Sequence, residues 1–440
     1  MSPNDPNERQ MMLTKSFAVA AALFFALPQT QANDQAEATL LEAIAQNLPK
    51  AAQTLEKAVN INSGTMNFSG VKQVGALFGE ELQEIGFQTE WIDGSEFNRA
   101  GHLTASYGTT GPKILMIGHL DTVFAHDDTF QKFYPTSDNK VMGPGITDMK
   151  GGDVIIIETV RALKASGLLD KVSIKIVMTG DEEASGRPLS KSKKAIIDAA
   201  IWADVALGFE DGDGNIKTAV TARRGSVNWT LDVTGKPAHS SQIFTEEVGY
   251  GAVFEAARIL NSFRAELSTI ENLTFNPGRI VGGTRITEDS TTATSTAFGK
   301  NNVVAKTLRV TGGIRALSPQ QLADAQVKMQ QIVAKNLSHT SATLTFGDGY
   351  PPMAPTSGNA KLLQLYSDIS EKLGYGKVVA VNPRKAGAAD ISFAADHVNM
   401  ALDGMGLMGT GGHTKDETAD MTSFKRNIEK AALLIYELSK

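Results

Sequence analysis

The sequence contains no cysteine among its 440 residues. This absence excludes disulfide bonds, thiol nucleophiles and thiolate-ligated metal sites, so any bound metal must be held by His, Asp or Glu. The chain also lacks an excess of positive charge, because 42 Lys and Arg stand against 48 Asp and Glu. Since nucleic-acid binding relies on clustered positive charge, we expect no nucleic-acid partner.

Sequence signatures of several other protein classes are missing as well. No Gly-x-Ser-x-Gly segment occurs, which disfavours a serine hydrolase. Residues 409–412 are rich in glycine but lack the Lys-Ser/Thr of a phosphate-binding loop. The segment from Asp211 begins like a calcium-binding loop, yet Ala222 occupies the position that requires a bidentate Glu.

Long apolar runs are scarce, and the run Phe17–Leu27 is too short for a membrane span of about 20 residues. Lys15 precedes this run and Pro28 follows it, a pattern typical of a secretory signal peptide. We therefore expect residues 1–32 to be a signal peptide and the mature protein to be periplasmic or secreted, without a membrane segment. The alternative is a buried N-terminal helix.

The chain is longer than the roughly 250–300 residues at which a single core usually stops growing, which favours two domains. An apolar strand-like run at 113–118, a helical pattern at 154–168 and a second strand-like run at 172–178 predict an α/β layered fold with parallel strands. Longer alternating runs and two helical patterns from 223 to 348 predict an inserted α+β unit. We therefore expect one catalytic domain formed by 33–222 and 349–440.

Imidazole and acidic side chains follow these segments. His119 and Asp121 come directly after the first apolar run, and residues two apart on an extended segment share a side. The pair is typical of a metal-binding His with a carboxylate partner, although a structural histidine gives the same pattern. Asp148 is flanked by Gly and Pro residues that predict a constrained turn, and a helix cap is the alternative there.

More candidate ligands lie further along the chain. The acidic run 181–183 follows the strand-like run 172–178, at the strand end where open parallel sheets bind ligands. Adjacent carboxylates repel one another unless a cation is bound, while a solvated acidic loop is the alternative. Glu210 and the glycine-flanked His413 complete a donor set suited to zinc or another divalent ion.

The order of these motifs resembles that of the co-catalytic dinuclear-zinc exopeptidases. The matching segments between His119 and Glu417 are GHLDTV, GPGITDMKGG, TGDEEASG, GFE and GGHTKDE. The superfamily includes glutamate carboxypeptidases, aminoacylases, acetylornithine deacetylases and succinyl-diaminopimelate desuccinylases, and the chain is most similar to the glutamate carboxypeptidase branch. The resemblance implies a catalytic domain with a mixed, largely parallel sheet flanked by helices, and a smaller inserted α+β lid domain that mediates homodimerisation.

The same resemblance assigns the metal ligands. Asp148 would bridge two Zn²⁺ ions in each subunit, with Co²⁺ or Mn²⁺ as possible substitutes. His119 and Glu210 would complete one metal site. Glu183 and His413 would complete the other.

It also implies the catalytic roles. Asp121 would contact His119 and orient it without binding a metal itself. Glu182 would act as the general base, taking a proton from a water between the metals and passing it to the leaving nitrogen. His239, in the lid segment GKPAHSS, would stabilise the oxyanion in the active site of the partner subunit, although a loop His is often inert.

The resemblance further suggests substrate contacts. Asn302 and Arg315 fall where related carboxypeptidases bind the free carboxylate of the substrate, and Arg can supply a bidentate fork. A surface strand position is the alternative for Arg315. Gly387 lies in a loop that resembles the family's pocket loop. Tyr350 occupies the position before a proline where the glutamate-specific branch has Arg.

Taken together, the sequence predicts an exported zinc-dependent carboxypeptidase that hydrolyses the amide bond of short peptides or N-acyl amino acids through a metal-bridged hydroxide. One alternative is an N-acyl amino acid deacylase or desuccinylase. A second alternative, from another class, is a non-catalytic solute-binding relative that kept the fold.

Overall fold

The computed structural model describes residues 6–136, 139–289, 292 and 294–440, with side chains from Asn33 onward. The predicted signal peptide, 1–32, therefore lies outside the residues whose side chains are described. Within the described residues, no helix combines the length and the hydropathy needed to cross a bilayer.

Helices account for much of the described chain, and local sequence signals explain several of their ends. Gly86 ends the second helix with a φ of 104°, a conformation that costs little without a Cβ atom. Ser318 caps the seventh helix by accepting a hydrogen bond from the backbone N–H of Gln321, and Pro319 follows in the first turn. The helices are α1 Pro6–Val59, α2 Phe68–Ile85, α3 Gly151–Ala165, α4 Leu189–Ser192, α5 Lys194–Trp202, α6 Gly251–Leu267, α7 Pro319–Val333, α8 Ser357–Lys372 and α9 Met421–Leu438.

The strands are grouped into a central sheet, a lid sheet and shorter pairings. In chain order the first strands are β1 Gln88–Asp93, β2 Gly101–Tyr107, β3 Lys113–His119, β4 Tyr134–Pro135, β5 Lys140–Met142, β6 Ser173–Thr179, β7 Val205–Gly208 and β8 Thr218–Ala219. The remaining strands are β9 Val227–Gly235, β10 Thr274–Gly283, β11 Arg285–Asp289, β12 Thr294–Phe298, β13 Thr307–Arg315, β14 Thr340–Phe346, β15 Val379–Ala380, β16 Met400–Leu402, β17 Gly409–Thr410 and β18 Thr418–Asp420.

The central sheet has the order β1-β2-β6-β3-β7-β16. Strand β3 pairs in parallel with β6 and β7, and β7 pairs in parallel with β16, whereas β1 and β2 are antiparallel additions at one edge. Side chains of β3 alternate between two apolar cores: Ile114 and Met116 pack with residues of α3, while Leu115 and Ile117 pack with residues of α5. Helices therefore cover both faces, which confirms the predicted α/β class.

The lid sheet is separate from the central sheet and has the order β10-β13-β9-β14, with antiparallel pairing throughout. Trp229, Leu231 and Val310 point to one face, where they share a buried core with Phe263 of α6 and Met329 of α7. The opposite face of this sheet carries the alternate, polar residues. Strand β16 then joins the central sheet beside β7, so the α+β unit is inserted within the chain of an α/β unit.

Candidate metal centre

Three of the predicted ligands come from the carboxyl ends of neighbouring parallel strands. His119 is the last residue of β3, Glu183 follows β6, and Glu210 follows β7. Because β3 lies between β6 and β7 in the central sheet, these three strand ends are adjacent at one edge. This edge is where ligands bind in open parallel sheets.

Asp148 reaches this edge from a tight turn that precedes α3. Its backbone departs from helical angles, and Gly145 at the start of the turn has a φ of 70°. Glu417 fixes the turn: its buried carboxylate accepts hydrogen bonds from the N–H groups of Gly145, Thr147 and Asp148 at 2.9, 2.9 and 3.2 Å. Glu417 lies within a matching motif, but sequence reasoning assigned it no role.

His413 is brought to the same place by a small sheet. It lies in the loop between β17 and β18, and β18 pairs antiparallel with β5, which leads into the Asp148 turn. The imidazole is on an exposed loop and its backbone φ is 62°. The β5–β18 pairing therefore places a residue near the C-terminus beside one near position 148.

The distances form two groups that share Asp148. Oδ1 of Asp148 is 3.1 Å from Nε2 of His119, and this imidazole is 3.6 Å from Oε1 of Glu210. Oδ2 of Asp148 is 2.8 Å from Nε2 of His413, which is 3.2 Å from Oε2 of Glu183. All five predicted ligands are thus brought together, in the two groups that the resemblance implied.

The donor chemistry of this cluster fits divalent metal ions. Ligand atoms of His119, Asp148 and Glu183 lie within 4.8 Å of one another, and Oε1 of Glu183 is a buried oxygen with no hydrogen-bond partner among the described residues. Burial, and then the neighbouring Asp148, raise the pKa of Glu210 well above its usual range. Hydrogen bonds to Asp148 and Glu183 raise the pKa of His413 to about 11. Cations between these groups would balance the gathered carboxylates.

Asp121 contacts His119, but in a different way from the one expected. The carbonyl oxygen of Asp121 is 2.9 Å from Nδ1 of His119, whereas its carboxylate is 3.5 Å from that atom. The carboxylate instead accepts the backbone N–H groups of Glu182 and Glu183 at 3.0 and 3.2 Å, and the Thr65 hydroxyl at 2.6 Å. Asp121 therefore orients the His119 imidazole through its backbone carbonyl. Through its side chain, Asp121 holds the segment that carries the predicted base Glu182 and the ligand Glu183.

Glu182 is surrounded by buried charged groups. Burial raises the pKa of Glu182 well above its usual range, Asp390 and Glu183 raise it further, and His119 and Lys193 act in the opposite direction. A carboxyl group with a raised pKa at a site of this kind is suited to accept and return a proton.

A polar network supports the segment that carries Glu182. The hydroxyl of Tyr350 lies 3.1 Å from the carbonyl oxygen of Glu182, 3.1 Å from Oδ1 of Asp390 and 2.9 Å from Oγ of Ser185. Lys193, which is fully buried, lies 2.9 Å from the same Asp390 oxygen. Tyr350 thus contacts the loop that carries the predicted base.

Lys193 was not found by sequence reasoning. Its ammonium group also lies 2.8 Å from Oδ1 of Asp181, so one buried cation neutralises two buried carboxylates. The residue stands between α4 and α5 and belongs to no motif. Nothing in the local sequence distinguishes it from a surface lysine.

Among the described residues of one chain, none of the predicted lid residues forms a hydrogen bond or ion pair with the metal cluster. His239 is exposed, and its Nδ1 is 2.9 Å from the Ser241 hydroxyl. Asn302 is its neighbour, because the Asn302 carbonyl accepts the N–H of Ser240 at 2.9 Å. Arg315 is at the far end of β13, a strand of nine residues that spans about 27 Å. The structure does not bring Asn302 and Arg315 together in one chain.

Gly387 contributes a backbone contact near the metal cluster. Its carbonyl accepts a hydrogen bond from Nη1 of Arg223 at 2.9 Å, and Nε of Arg223 donates to Asp403 at 2.7 Å. Asp403 also accepts the backbone N–H of Glu210 at 3.3 Å. The pocket loop is therefore linked to a predicted metal ligand through Arg223, which sequence reasoning also missed.

Comparison with known proteins gives concordant similarities. The model of peptidase family M20/M25/M40 matches residues 115–437. Carboxypeptidase G2 from Pseudomonas sp. (strain RS-16) is 25% identical over 426 residues, which cover 96% of this chain and 97% of that protein. A probable succinyl-diaminopimelate desuccinylase from Staphylococcus epidermidis is 32% identical over 174 residues, 39% of this chain and 41% of that protein. The crystal structure of aminopeptidase PepT from Bacillus cereus has the same fold, with a TM-score of 0.70 at 18% identity over 89% of this chain and 98% of that one.

Proposed function

The chain belongs to peptidase family M20/M25/M40 and is therefore a metal-dependent hydrolase, and from this premise we propose that it is a dinuclear zinc carboxypeptidase that cleaves short peptides. The observation that carries the proposal is the position of Asp148. Its two oxygens face two different imidazoles, at 3.1 Å and 2.8 Å, and each imidazole has its own second carboxylate. This arrangement suits a pair of ions bridged by one carboxylate.

The five side chains divide the work of holding the ions. Asp148 would bind both, His119 and Glu210 one of them, and Glu183 and His413 the other. Imidazole and carboxylate donors without thiolates are a common catalytic zinc set. When bound, the ions supply Lewis acidity that polarises the scissile carbonyl and makes water a nucleophile near neutral pH.

The proton transfers fall to Glu182. It adjoins the ligand Glu183, and Asp121 holds the backbone N–H groups of both residues. Its raised pKa suits a group that takes a proton from the attacking water and gives it to the leaving amine. Because Tyr350 contacts the carbonyl of Glu182 and Asp121 accepts its N–H, the backbone that carries this carboxylate is held at two points through both steps.

The oxyanion role of His239 requires a second copy of the chain. Within one chain His239 is exposed, and among the described residues its imidazole forms hydrogen bonds only with Ser241. A homodimer formed through the inserted domain would let each lid present His239 and the adjacent Asn302 to the other subunit's metal cluster. Arg315, at the base of its own lid, would then bind the free carboxylate of the substrate.

A second candidate function is hydrolysis of N-acyl amino acids, which breaks the same type of bond. The desuccinylase similarity over 174 residues favours it. The zinc-loaded enzyme should be assayed against matched dipeptides, N-acetyl amino acids and N-succinyl amino acids. Preferential cleavage of dipeptides supports the carboxypeptidase, whereas preferential cleavage of the acyl compounds would replace it with a deacylase. Ligand binding without any turnover, unchanged after EDTA treatment, would support a solute-binding protein instead.

We also propose that residues 1–32 direct export to the periplasm or medium. The support is the basic flank and apolar run of the sequence. Cell fractionation with N-terminal sequencing of the mature protein tests this proposal. Recovery of the uncleaved chain in the cytoplasm would contradict it.

A further inference from the structure

An apolar pocket opens beside the metal cluster, on the side of Glu183. It has a volume of about 490 Å³, and its lining is formed by the segments 64–67, 122–126 and 183–184. Two of its side chains are large and apolar and yet exposed, Met66 at 62% and Val123 at 41%. A concave apolar surface next to a few polar groups is the usual form of a small-molecule site.

The walls of the apolar pocket are held in place by hydrogen bonds. The N–H of Thr65 donates to the carbonyl oxygen of Thr122 at 3.1 Å, so the first two lining segments are paired. Oδ2 of Asp121 accepts the Thr65 hydroxyl at 2.6 Å and the backbone N–H of Glu183 at 3.2 Å. One carboxylate oxygen therefore joins the first lining segment to the one that carries a metal ligand, and the pocket is preformed.

The pocket lies next to both ligands of the second ion. Glu183 lines it directly, and Oε2 of Glu183 is 3.2 Å from Nε2 of His413. Lys415, in the same loop as His413, donates to the Thr129 hydroxyl at 3.1 Å. The His413 loop is therefore attached to the chain that follows the second lining segment, and a group bound in the pocket would lie beside the reacting carbonyl.

The charge of the lining favours an uncharged occupant. None of the lining residues is Lys or Arg, and the one carboxylate among them is the metal ligand Glu183. His126, which is exposed, is the remaining titratable side chain. An anionic group would find no fixed positive charge on these side chains, whereas an apolar group would exchange water for contacts with Met66 and Val123.

The position of the lid indicates which half of the substrate enters the apolar pocket. The free carboxylate of the substrate is assigned to Arg315 of the lid, so the amine half would point toward that domain. Among the described residues, none from 223 to 348 lines the apolar pocket. The pocket is therefore left for the acyl half, on the carbonyl side of the scissile bond.

We propose that Met66 and Val123, with Ala125 and Ala184, form a subsite for an apolar side chain or acyl chain on the carbonyl side of the scissile bond. This inference rests on the proposed amide hydrolysis at the metal cluster, to which it adds a preference for the half of the substrate that leaves as the carboxylic acid. A succinyl group, which ends in an anion, is then a poor occupant.

The test compares the dipeptides Leu-Ala and Asn-Ala, whose first side chains differ in polarity and little in shape. We expect kcat/KM of the zinc-loaded enzyme to be about tenfold or more higher for Leu-Ala, the lower end of the effect of burying a Leu side chain. The double variant Met66→Gln/Val123→Thr should bring this ratio to within about threefold of one, with unchanged metal content. Ile201→Gln/Val379→Thr is the matched control and should keep the wild-type ratio, because both side chains are exposed and lie outside the pocket.

The reversed dipeptides Ala-Leu and Ala-Asn test which half of the substrate the pocket holds. Because the second residue would face the lid, the Met66→Gln/Val123→Thr variant should leave their kcat/KM ratio at the wild-type value. Three outcomes overturn the subsite: equal wild-type efficiency on Leu-Ala and Asn-Ala, a ratio unchanged in the double variant, or an effect confined to the reversed pair.

N-butanoyl-alanine and N-succinyl-alanine, whose acyl chains have the same length and differ in the terminal carboxylate, separate this result from a failure of the carboxypeptidase proposal. If no dipeptide is cleaved but the butanoyl compound is preferred, and Met66→Gln/Val123→Thr removes that preference, the subsite stands and the carboxypeptidase assignment fails. Equal cleavage of the two acyl compounds, or a preference for the succinyl compound, would then refute the subsite.

Calorimetric titration decides the case in which no compound is cleaved. Tighter binding of Leu-Ala than of Asn-Ala to the zinc-loaded protein, lost in the Met66→Gln/Val123→Thr variant, would keep the subsite while the proposed hydrolysis fails. Equal binding of the two dipeptides, or no binding of either, would refute the subsite.

Discussion

Removal of one hydroxyl group, by Tyr350→Phe, tests whether the buried network positions Glu182. The phenol oxygen lies within hydrogen-bond distance of the Glu182 carbonyl, Asp390 and Ser185. The ring also packs against Phe393, with centroids 4.8 Å apart, and this packing is retained in the variant. The substitution therefore removes the polar contacts and leaves the apolar ones.

The expected magnitude follows from what remains after the change. Asp390 keeps its ion pair with Lys193 at 2.9 Å and its contact with the Thr179 hydroxyl, so no buried charge is left unpaired. The loss is then about one hydrogen bond to a charged group and one to a neutral group, roughly 2–4 kcal/mol before the site relaxes. We expect the free energy of unfolding to fall by about 1–3 kcal/mol. If the freed loop shifts Glu182, kcat should fall about tenfold, which corresponds to 1.4 kcal/mol of activation free energy.

The assay combines steady-state kinetics, denaturant unfolding and metal analysis of the zinc-loaded protein. Tyr366→Phe is the matched control, because Tyr366 is fully buried and its hydroxyl has no hydrogen-bond partner among the described residues. A positioning role requires a lower kcat, with KM and metal content near the wild-type values, in Tyr350→Phe alone. If Tyr350→Phe loses more stability than Tyr366→Phe but keeps the wild-type kcat, the network is structural and does not position Glu182.

Four other perturbations test the remaining assignments. EDTA should abolish hydrolysis and added zinc should restore it. Glu182→Ala should lose nearly all turnover and retain its metal, which an activity assay and elemental analysis measure. An active Glu182→Ala enzyme would show that a different residue is the base. Co-expression of Glu182→Ala with His239→Ala chains should restore about one quarter of the wild-type activity, because half of the dimers would contain one intact composite site. No recovery in isolated heterodimers would argue that His239 acts within its own chain. Burial lowers the pKa of Lys430 to about 7, below its unfolded value, so the unfolded chain binds more protons between about pH 7 and 10 and stability should rise with pH in that window. Lys430→Met should remove this rise, which urea unfolding of both proteins at a series of pH values measures. If the two pH profiles are parallel, Lys430 does not titrate as described.

The predicted class and ligand set depend on patterns that are local in the chain. His119, Glu183 and Glu210 each follow a strand of one parallel sheet, and such strands end at a common edge because crossover connections keep their direction. Glycines around Asp148 and His413 indicated turns without any knowledge of the partners. These local patterns made the residues candidate ligands, and the resemblance to the dinuclear-zinc exopeptidases predicted that they would meet.

Other parts of the site could not be predicted in this way. Asp121 illustrates the difference: its spacing from His119 was informative, but which of its oxygens faces the imidazole depends on where the segment after β6 crosses it. Glu417, Lys193 and Tyr350 act on residues more than ten positions away, and nothing in the local sequence indicates which partners they contact. Their roles follow from burial beside a particular partner, which is a property of the packed chain.

The sequence by itself therefore determined which side chains could ligate metal and on which secondary structure elements they lie, because helix, strand and turn preferences act over a few residues. Only the tertiary structure decided how two ligand groups share Asp148 and which buried charges surround Glu182. The physical reason is that Coulomb interaction and desolvation depend on distance and burial in space, and these quantities are set when segments far apart in the chain pack together.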